Sequence, residues 1–214
     1  MTSTKYRVNE VFGPTIQGEG AMSGTPTIFI RFSGCNMWNG KNEDKADSYC
    51  PYCDTDFLSY TPMTINNIVR QVDLLGKGKV QWVTISGGEP LLQLDIELCM
   101  ALKRAGFKIA VETNGTVEGK PGVVGSIDHI CMSPKRPSRF IKLKWAHSLK
   151  VLWPPFDEEI DPDEFSKYPL YEQHGLTGRY IQPMDERFPE AVEKVLSLNG
   201  WKLSVQTHKV IGVE

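Results

Sequence analysis

The apolar pattern of the chain changes period again and again, and small or polar residues follow almost every stretch that reads as a strand. Pro26–Phe32, rich in β-branched and aromatic residues, predicts a strand, as do residues 80–86, 107–112, 127–132, 148–152, 179–182 and 203–207. Helices are predicted between them. Thr64 is a plausible N-cap for residues 64–76, where Ile65, Ile68, Val69 and Val72 share a face and Gly76 closes the helix. Residues 94–105 and 189–198 read the same way, the latter with Ala191, Val192, Val195 and Leu196 on one face, and Asp161-Pro-Asp-Glu164 looks like a helix start. Such alternation implies a largely parallel α/β sheet. Gly34-Cys35, Ser86-Gly-Gly-Glu89, Thr113-Asn-Gly115, Ser133-Pro-Lys135, Gln182-Pro183 and His208-Lys209 all sit just past predicted strands. In barrels and open parallel sheets, sites form at that edge. The strand count is too low for a full eight-unit barrel.

A chain of 214 residues with 40% hydrophobic residues is expected to form one domain, 1–214, with its own core. Its net charge of −2 provides no global field for nucleic acid or anionic membrane. No apolar run approaches the length of a transmembrane helix, and the polar start MTSTKYRVNEVFG has no signal-peptide core, so the expectation is a cytoplasmic chain. Thiols then stay reduced, and clustered cysteines point to metal binding or catalysis before disulfides. Three of the five, Cys35, Cys50 and Cys53, lie in the one long unpatterned stretch, Gly34–Thr61. Long loops in compact domains are usually functional or disordered. Cys99 and Cys131, in apolar segments, read as small buried hydrophobes, Trp82 and Phe107 as core, and His147 and His174 as solvent or cap residues.

Cys35-x14-Cys50-x2-Cys53 can hold a metal or cluster and leave one coordination position open. Zinc is the structural alternative, with His129 or Cys131 completing a tetrahedron. Ser86-Gly87-Gly88-Glu89-Pro90 lets backbone approach a ligand and offers a carboxylate for an ammonium group; as a structural feature it is a turn with Pro90 starting the next helix.

Together these two features resemble the radical S-adenosylmethionine superfamily, with its three-cysteine loop after the first strand and Gly-Gly-Glu-Pro turn after the second. The usual spacing is C-x3-C-x2-C; here Asn39 stands where the second cysteine would fall. The long-spaced variant is similar to one family, the 7-carboxy-7-deazaguanine synthases of the 7-deazapurine (queuosine) pathway. The resemblance runs from Glu10–Gly20 through Arg31–Cys35, Cys53-Asp-Thr55, Glu112–Gly115, Ser133–Lys135 and Gln182-Pro183 to Gln206–Lys209.

The resemblance implies an incomplete, modified (β/α) barrel of the radical SAM type, with residues 34–61 as the cluster-binding loop. It implies a lyase that converts 6-carboxy-5,6,7,8-tetrahydropterin to 7-carboxy-7-deazaguanine with ring contraction and loss of ammonia. Cys35, Cys50 and Cys53 would carry a [4Fe-4S] cluster, which cleaves S-adenosylmethionine to a 5′-deoxyadenosyl radical. Tyr52, Cys53, Asp54, Gly88, Glu89, Ser133, Pro134, Lys135, Gln182, Pro183, Met184 and Asp185 would bind the cofactor. Ile16, Gln17, Gly18, Glu19, Arg31, Ser86 and the terminal Glu214 would meet the pterin, and Thr55 would bind Mg2+. Catalysis needs no further residue beyond the cluster and cofactor radical. A homodimer and an electron donor such as flavodoxin are implied, with no membrane or nucleic-acid partner.

Each assignment has a structural counterpart. Arg31, inside an apolar strand, could serve an ion pair instead, and Glu19 could be a surface acid. Thr55 could be a turn hydroxyl, Glu112 and Asn114 a strand end with an Asx turn in place of ribose contacts, and Glu214 a frayed end. Lys135 and above all Arg136, Arg139, Lys142, Lys144 and Lys150 read as solvated charges, and His208 has no assignment. Two other functions compete. A glycyl-radical activating enzyme usually keeps the ordinary cysteine spacing. A zinc-stabilised nucleic-acid module would use the basic stretch 135–150, which lacks interleaved aromatics and precedes the acidic run 157–164.

Overall fold

The computed structural model describes residues 5–53 and 55–213. They divide into two compact units. The first comprises the described residues up to Thr15, with Pro26–Glu112 and Gly119–Asp128; the second comprises Ile16–Thr25, Thr113–Glu118 and the described residues from His129 onward. No helix among the described residues is long and apolar enough to cross a membrane.

The first unit is built on β1 (Lys5–Ile16), β2 (Pro26–Phe32), β3 (Thr61–Thr64), β4 (Trp82–Gly87) and β5 (Lys108–Thr113), in the spatial order β3-β1-β2-β4-β5. β2, β4 and β5 run parallel, with Arg31 opposite Ser86 and Phe32 opposite Gly87. Ile28, Ile30, Val83, Ile85, Ile109 and Val111 are fully buried, the near-continuous apolar composition that parallel strands need. Helix α1 (Ile65–Gly76) begins where its cap predicts, the Thr64 side chain accepting from the Asn67 N–H. Ile68 and Val72 turn inward, each contributing roughly 1.5–3 kcal/mol by burial. Helix α2 (Ile96–Arg104) starts two residues later than the apolar pattern suggests, because Asp95 caps it at the Leu98 N–H and also accepts from Tyr6 Oη.

β1 and β3 were not legible in the apolar period. They pair antiparallel, Lys5 opposite Thr64 and Val8 opposite Thr61. Trp82, expected in the core, is half-buried with Lys108 Nζ 5.5 Å from its ring centre.

The second unit carries β6 (His129–Met132), β7 (Ser148–Trp153), β8 (Gly178–Pro183) and β9 (Trp201–Leu203), in that order. All its strand pairs are parallel. Helix α3 (Phe188–Ser197) buries Ala191, but Leu196 is 81% exposed and Val192 also faces out, so the expected apolar face is only partly used. The predicted strand 203–207 is corrected: β9 ends at Leu203 and a short helix, α4 (Thr207–Ile211), starts at Thr207. The helix start at Asp161 yields one 3-10 turn, Pro162–Phe165. Phe165 is buried, and Arg179 takes the carbonyls of Phe165 and Tyr168 at 3.2 and 2.7 Å.

His147 is a core residue, contrary to the sequence expectation. Its Nδ1 accepts from the Ile130 N–H at 2.9 Å, so its proton sits on Nε2, 2.8 Å from Gln173 Oε1. His129 stacks on it at 5.5 Å and bonds Ser148 Oγ through Nε2 at 3.0 Å. It is therefore packed within its own unit. Burial first, then the neighbouring His147 and His174, pushes the His129 imidazole down to about 3. Between its ordinary value and that one, the unfolded chain binds a proton that the native state refuses. Stability from this site is complete above the unfolded value and falls with pH at about 1.4 kcal/mol per unit. Urea unfolding of the apo protein should show a loss of roughly 2 kcal/mol from pH 6.5 to 5 that His129→Gln lacks. An equal loss in both proteins would contradict the assignment.

Candidate active site

In the first unit, the chain leaves β2 through Ser33-Gly34-Cys35. The Ser33 N–H donates to the Arg7 carbonyl at 2.9 Å, the Gly34 N–H to Phe57 at 3.0 Å, and Gln93 Nε2 to the Ser33 carbonyl at 2.6 Å. The loop that follows has a small core of its own. Trp38 and Phe57 meet edge to face at 5.4 Å, and both are buried. Cys50 and Cys53 share a turn in which the Cys53 N–H donates to the Cys50 carbonyl at 3.2 Å. All five cysteines are reduced thiols; Cys35, Cys50 and Cys53 are half-buried, and Cys99 and Cys131 are buried as expected. Burial pushes the Cys35 thiol up, the Met37 and Trp38 N–H groups oppose this, and the neighbouring Glu89 and Cys53 add to it.

The turn after β4 is laced to this stretch. The Gly88 N–H donates to the Phe32 carbonyl at 3.1 Å and the Glu89 N–H to the Gly34 carbonyl at 3.0 Å. Only glycine fits. At Gly87, where φ is +124°, a methyl group would stand 2.0 Å from the Phe32 oxygen. At Gly88 it would stand 2.1 Å from the Gly34 oxygen and 3.0 Å from Cys35 Cβ. Glu89 is fully buried, and its Oε1 caps the turn Pro90–Leu92 by accepting from the Leu91 N–H at 3.0 Å. The motif is thus the turn expected of it, with Pro90 starting a 3-10 turn, and Glu89 is its cap.

The donor set suits an iron–sulfur cluster. Three thiols from one loop form a soft, all-sulfur set, and the backbone beside Cys35 is stripped of side-chain bulk. Among the described residues, no three His, Cys, Asp or Glu side chains form a group that could hold a single metal ion, and cluster binding would deprotonate the thiols. Tyr52 is 56% exposed, and the Thr55 contact in this turn is through its carbonyl, 3.9 Å from Cys53 Sγ. Asp54 lies outside the described residues.

Arg31 forms the ion pair that an arginine in an apolar strand requires. Its Nε is 2.6 Å from Glu10 Oε1, and its guanidinium lies 5.4 Å from the Phe12 ring centre. The pair engages Nε, so the two terminal nitrogens lie outside it. Ser86, directly opposite on β4, is half-buried.

In the second unit, Ile16–Thr25 forms a closed loop, the Gln17 N–H donating to the Thr25 carbonyl at 2.9 Å and the Gly24 N–H to Gln17 at 2.8 Å. Gln17 and Gly18 are buried and Ile16 half-buried. A methyl group on Gly18 would stand 2.0 Å from His208 Nδ1, which gives the unassigned His208 a place against this loop. Glu19 is not a surface acid. It is paired with Lys150, and its Oε1 accepts from Gln182 Nε2 at 3.2 Å and Gln206 Nε2 at 2.6 Å. Burial would raise its carboxyl, but the Lys150 charge and hydrogen bond, then Gln206 and His208, hold it down to about 2.

Lys150 is thus the main correction to the sequence reading: expected in solvent, it is only 5% exposed. The signal was available, since a lysine among the apolar residues of Ser148–Trp153 needs a partner for the same reason as Arg31. Ser204, which accepts from the Gly20 N–H at 2.8 Å and donates to Gln182 Oε1 at 3.1 Å, gave no signal.

Ser133 and Pro134 are buried past β6, with Lys135 Nζ 2.8 Å from Ser133 Oγ. Gln182 and Pro183 close β8 in buried positions, the Met184 N–H donates to Trp153 at 2.8 Å, and Asp185 is exposed. Asn114 forms the Asx turn, its Oδ1 accepting from the Thr116 N–H at 2.9 Å, and Glu112 is half-buried. Glu214 lies outside the described residues.

Known proteins give this geometry its context. The Radical SAM superfamily model matches residues 45–129. The 7-carboxy-7-deazaguanine synthases of Bradyrhizobium diazoefficiens, Caulobacter vibrioides and Bordetella pertussis are each 38% identical to the chain, covering 97% of it and 99% of the relative. The crystal structure of QueE from Escherichia coli superposes with a TM-score of 0.68 at 24% identity, covering 95% of both chains, which shows the radical SAM type of α/β fold. Such likeness sets aside the activating-enzyme and zinc-module readings. With relatives at this identity matched over nearly their whole length, the chain belongs to the 7-carboxy-7-deazaguanine synthase family of radical S-adenosylmethionine enzymes.

Proposed function

We propose that the chain converts 6-carboxy-5,6,7,8-tetrahydropterin to 7-carboxy-7-deazaguanine and ammonia, as one domain spanning 1–214. The observation that carries the reading is the glycine-only seam between Gly87-Gly88-Glu89 and Gly34-Cys35, which leaves backbone beside the first cysteine and a buried carboxylate one residue on. Cys35, Cys50 and Cys53 would hold a [4Fe-4S] cluster, with S-adenosylmethionine bound beside it. When bound, cluster and cofactor supply one-electron hydrogen abstraction, and the protein orients and shields.

Gly88 admits the cofactor's amino end to the backbone, and Glu89 accepts from its ammonium group. Tyr52 and Asp54, Ser133-Pro134-Lys135 and Gln182-Pro183-Met184-Asp185 hold the rest of it. Ile16, Gln17 and Gly18 meet the pterin with backbone and side-chain groups, Glu19 accepts from its amino end, Ser86 contacts its ring, and Glu214 is a further contact residue. Thr55 supplies an oxygen to Mg2+ beside the substrate. Arg31 takes the substrate carboxylate through the terminal nitrogens that its bond to Glu10 does not use. The working form is a homodimer fed by a one-electron donor such as flavodoxin.

The test uses anaerobically reconstituted enzyme. Iron near four per chain, a reduced-cluster resonance that shifts with S-adenosylmethionine, and mass-spectrometric conversion of the pterin are expected. Stoichiometric zinc without iron would overturn the reading. Arg31→Ala should weaken pterin binding about 10- to 100-fold, the range for hydrogen bonds to a charged group, while cofactor cleavage without substrate persists. Unchanged pterin affinity would remove Arg31 from the site.

A further inference from the structure

Glu19 is held from three directions within its own unit. Lys150 reaches it from β7, Gln182 from β8 and Gln206 from the turn before α4. The amide orientations are dictated by what lies behind them. Ser204 Oγ accepts from the Gly20 N–H, so its proton points to Gln182 Oε1, which turns the Gln182 NH2 toward Glu19. Oε1 thus receives two donors and Oε2 receives Lys150. An ionised carboxylate accepts about four hydrogen bonds, so one acceptor direction on Oε2 remains for a ligand. A buried ion pair is a poor stabiliser compared with apolar packing, and Lys150, only 5% exposed on β7, forms one with Glu19.

We propose that Lys150 is a positioning residue of this enzyme: with Gln182 and Gln206 it fixes Glu19 as an oriented anionic acceptor for one N–H of the pterin's amino-pyrimidinone edge. The proposal rests on the reading that residues 16–19 face the pterin. It adds that the recognition depends on a cation on β7 that touches no substrate. The charged and titratable groups facing Glu19 are Lys150 and, from α4, His208; Gln182 and Gln206 are neutral. Without Lys150, burial dominates and the Glu19 carboxyl rises. Its ionised form is then less favoured toward acidic pH, where only Gln182, Gln206 and His208 still support it.

The test is the pterin KM of the reconstituted holoenzyme across pH, with iron content and the cofactor response of the reduced cluster as checks of folding and loading. Lys150→Met should raise KM about tenfold at pH 6.5, a hydrogen bond to charge, with the ratio to wild type shrinking toward pH 8.5 as the ionised form of Glu19 is favoured. Lys150→Arg should restore most of the loss. Should Lys150→Met fail to load, Gln206→Met, at the half-buried chain end, should raise KM several-fold in the same pH-dependent way. Glu19→Gln, measured alongside, separates the two ideas. If it leaves KM unchanged, Glu19 does not face the pterin and the underlying reading fails. If it raises KM while the Lys150 or Gln206 variants shift KM equally at every pH, or not at all, the reading stands and the positioning role is wrong.

Discussion

Replacing Cys50 with alanine should abolish cluster assembly and activity while leaving the fold intact. Iron should fall from about four per chain to under one, and the reduced-cluster resonance should vanish. Two thiols and a methyl group cannot hold three irons. The fold should survive because the turn is held through its backbone and its neighbours. The Cys50 N–H donates to Ser48 Oγ at 3.2 Å, its carbonyl accepts from Cys53, and the loop is anchored by Trp38 against Phe57. Apo-protein stability should therefore move by no more than ~0.5 kcal/mol, as for other substitutions away from the core. A fully loaded, active Cys50→Ala enzyme would overturn the ligand assignment.

Gly88→Ala should combine a structural and a functional loss. Its methyl group would meet the Gly34 carbonyl oxygen at 2.1 Å and Cys35 Cβ at 3.0 Å, backbone and the root of a side chain, neither of which can swing aside. The seam must part, weakening the bonds from Gly88 to Phe32 and from Glu89 to Gly34. A cost of about 3 kcal/mol is expected, at the upper end of overpacking, together with more than about tenfold weaker S-adenosylmethionine binding. Gly125→Ala is the control, since a methyl group there meets nothing within 4 Å. Thermal unfolding and cofactor titration check both, and a Gly88→Ala protein indistinguishable from Gly125→Ala would remove the seam from the argument.

What the sequence disclosed divides along a physical line. Features set by neighbours in the chain were readable: the Thr64 cap of α1, the parallel-strand composition of β2, the glycine demand at Gly88. β1 was not, because Glu10, Gly13 and Pro14 interrupt any alternation and its register comes from pairing with the four residues of β3. Val205-Gln206 seemed to extend a strand, yet the Thr207 N–H goes to the Gly18 carbonyl at 2.9 Å and α4 begins there. Long-range contact also hid the Glu19–Lys150 pair, 131 positions apart. Each charge alone looked like surface, and only the apolar neighbours of Lys150 argued otherwise.

That separation has a consequence for how the protein is made. The loop Ile16–Thr25 is synthesised well before Ser204 and Gln206, which bond Gly20 and Glu19 across 184 and 187 positions. At about 5–20 residues per second, the loop waits roughly 10–40 s for them. During that interval Glu19 is an ordinary solvated carboxylate on an unclosed loop. The loop is thus made early and closed late, reaching its working shape only once Ser204 and Gln206 have been added to the chain.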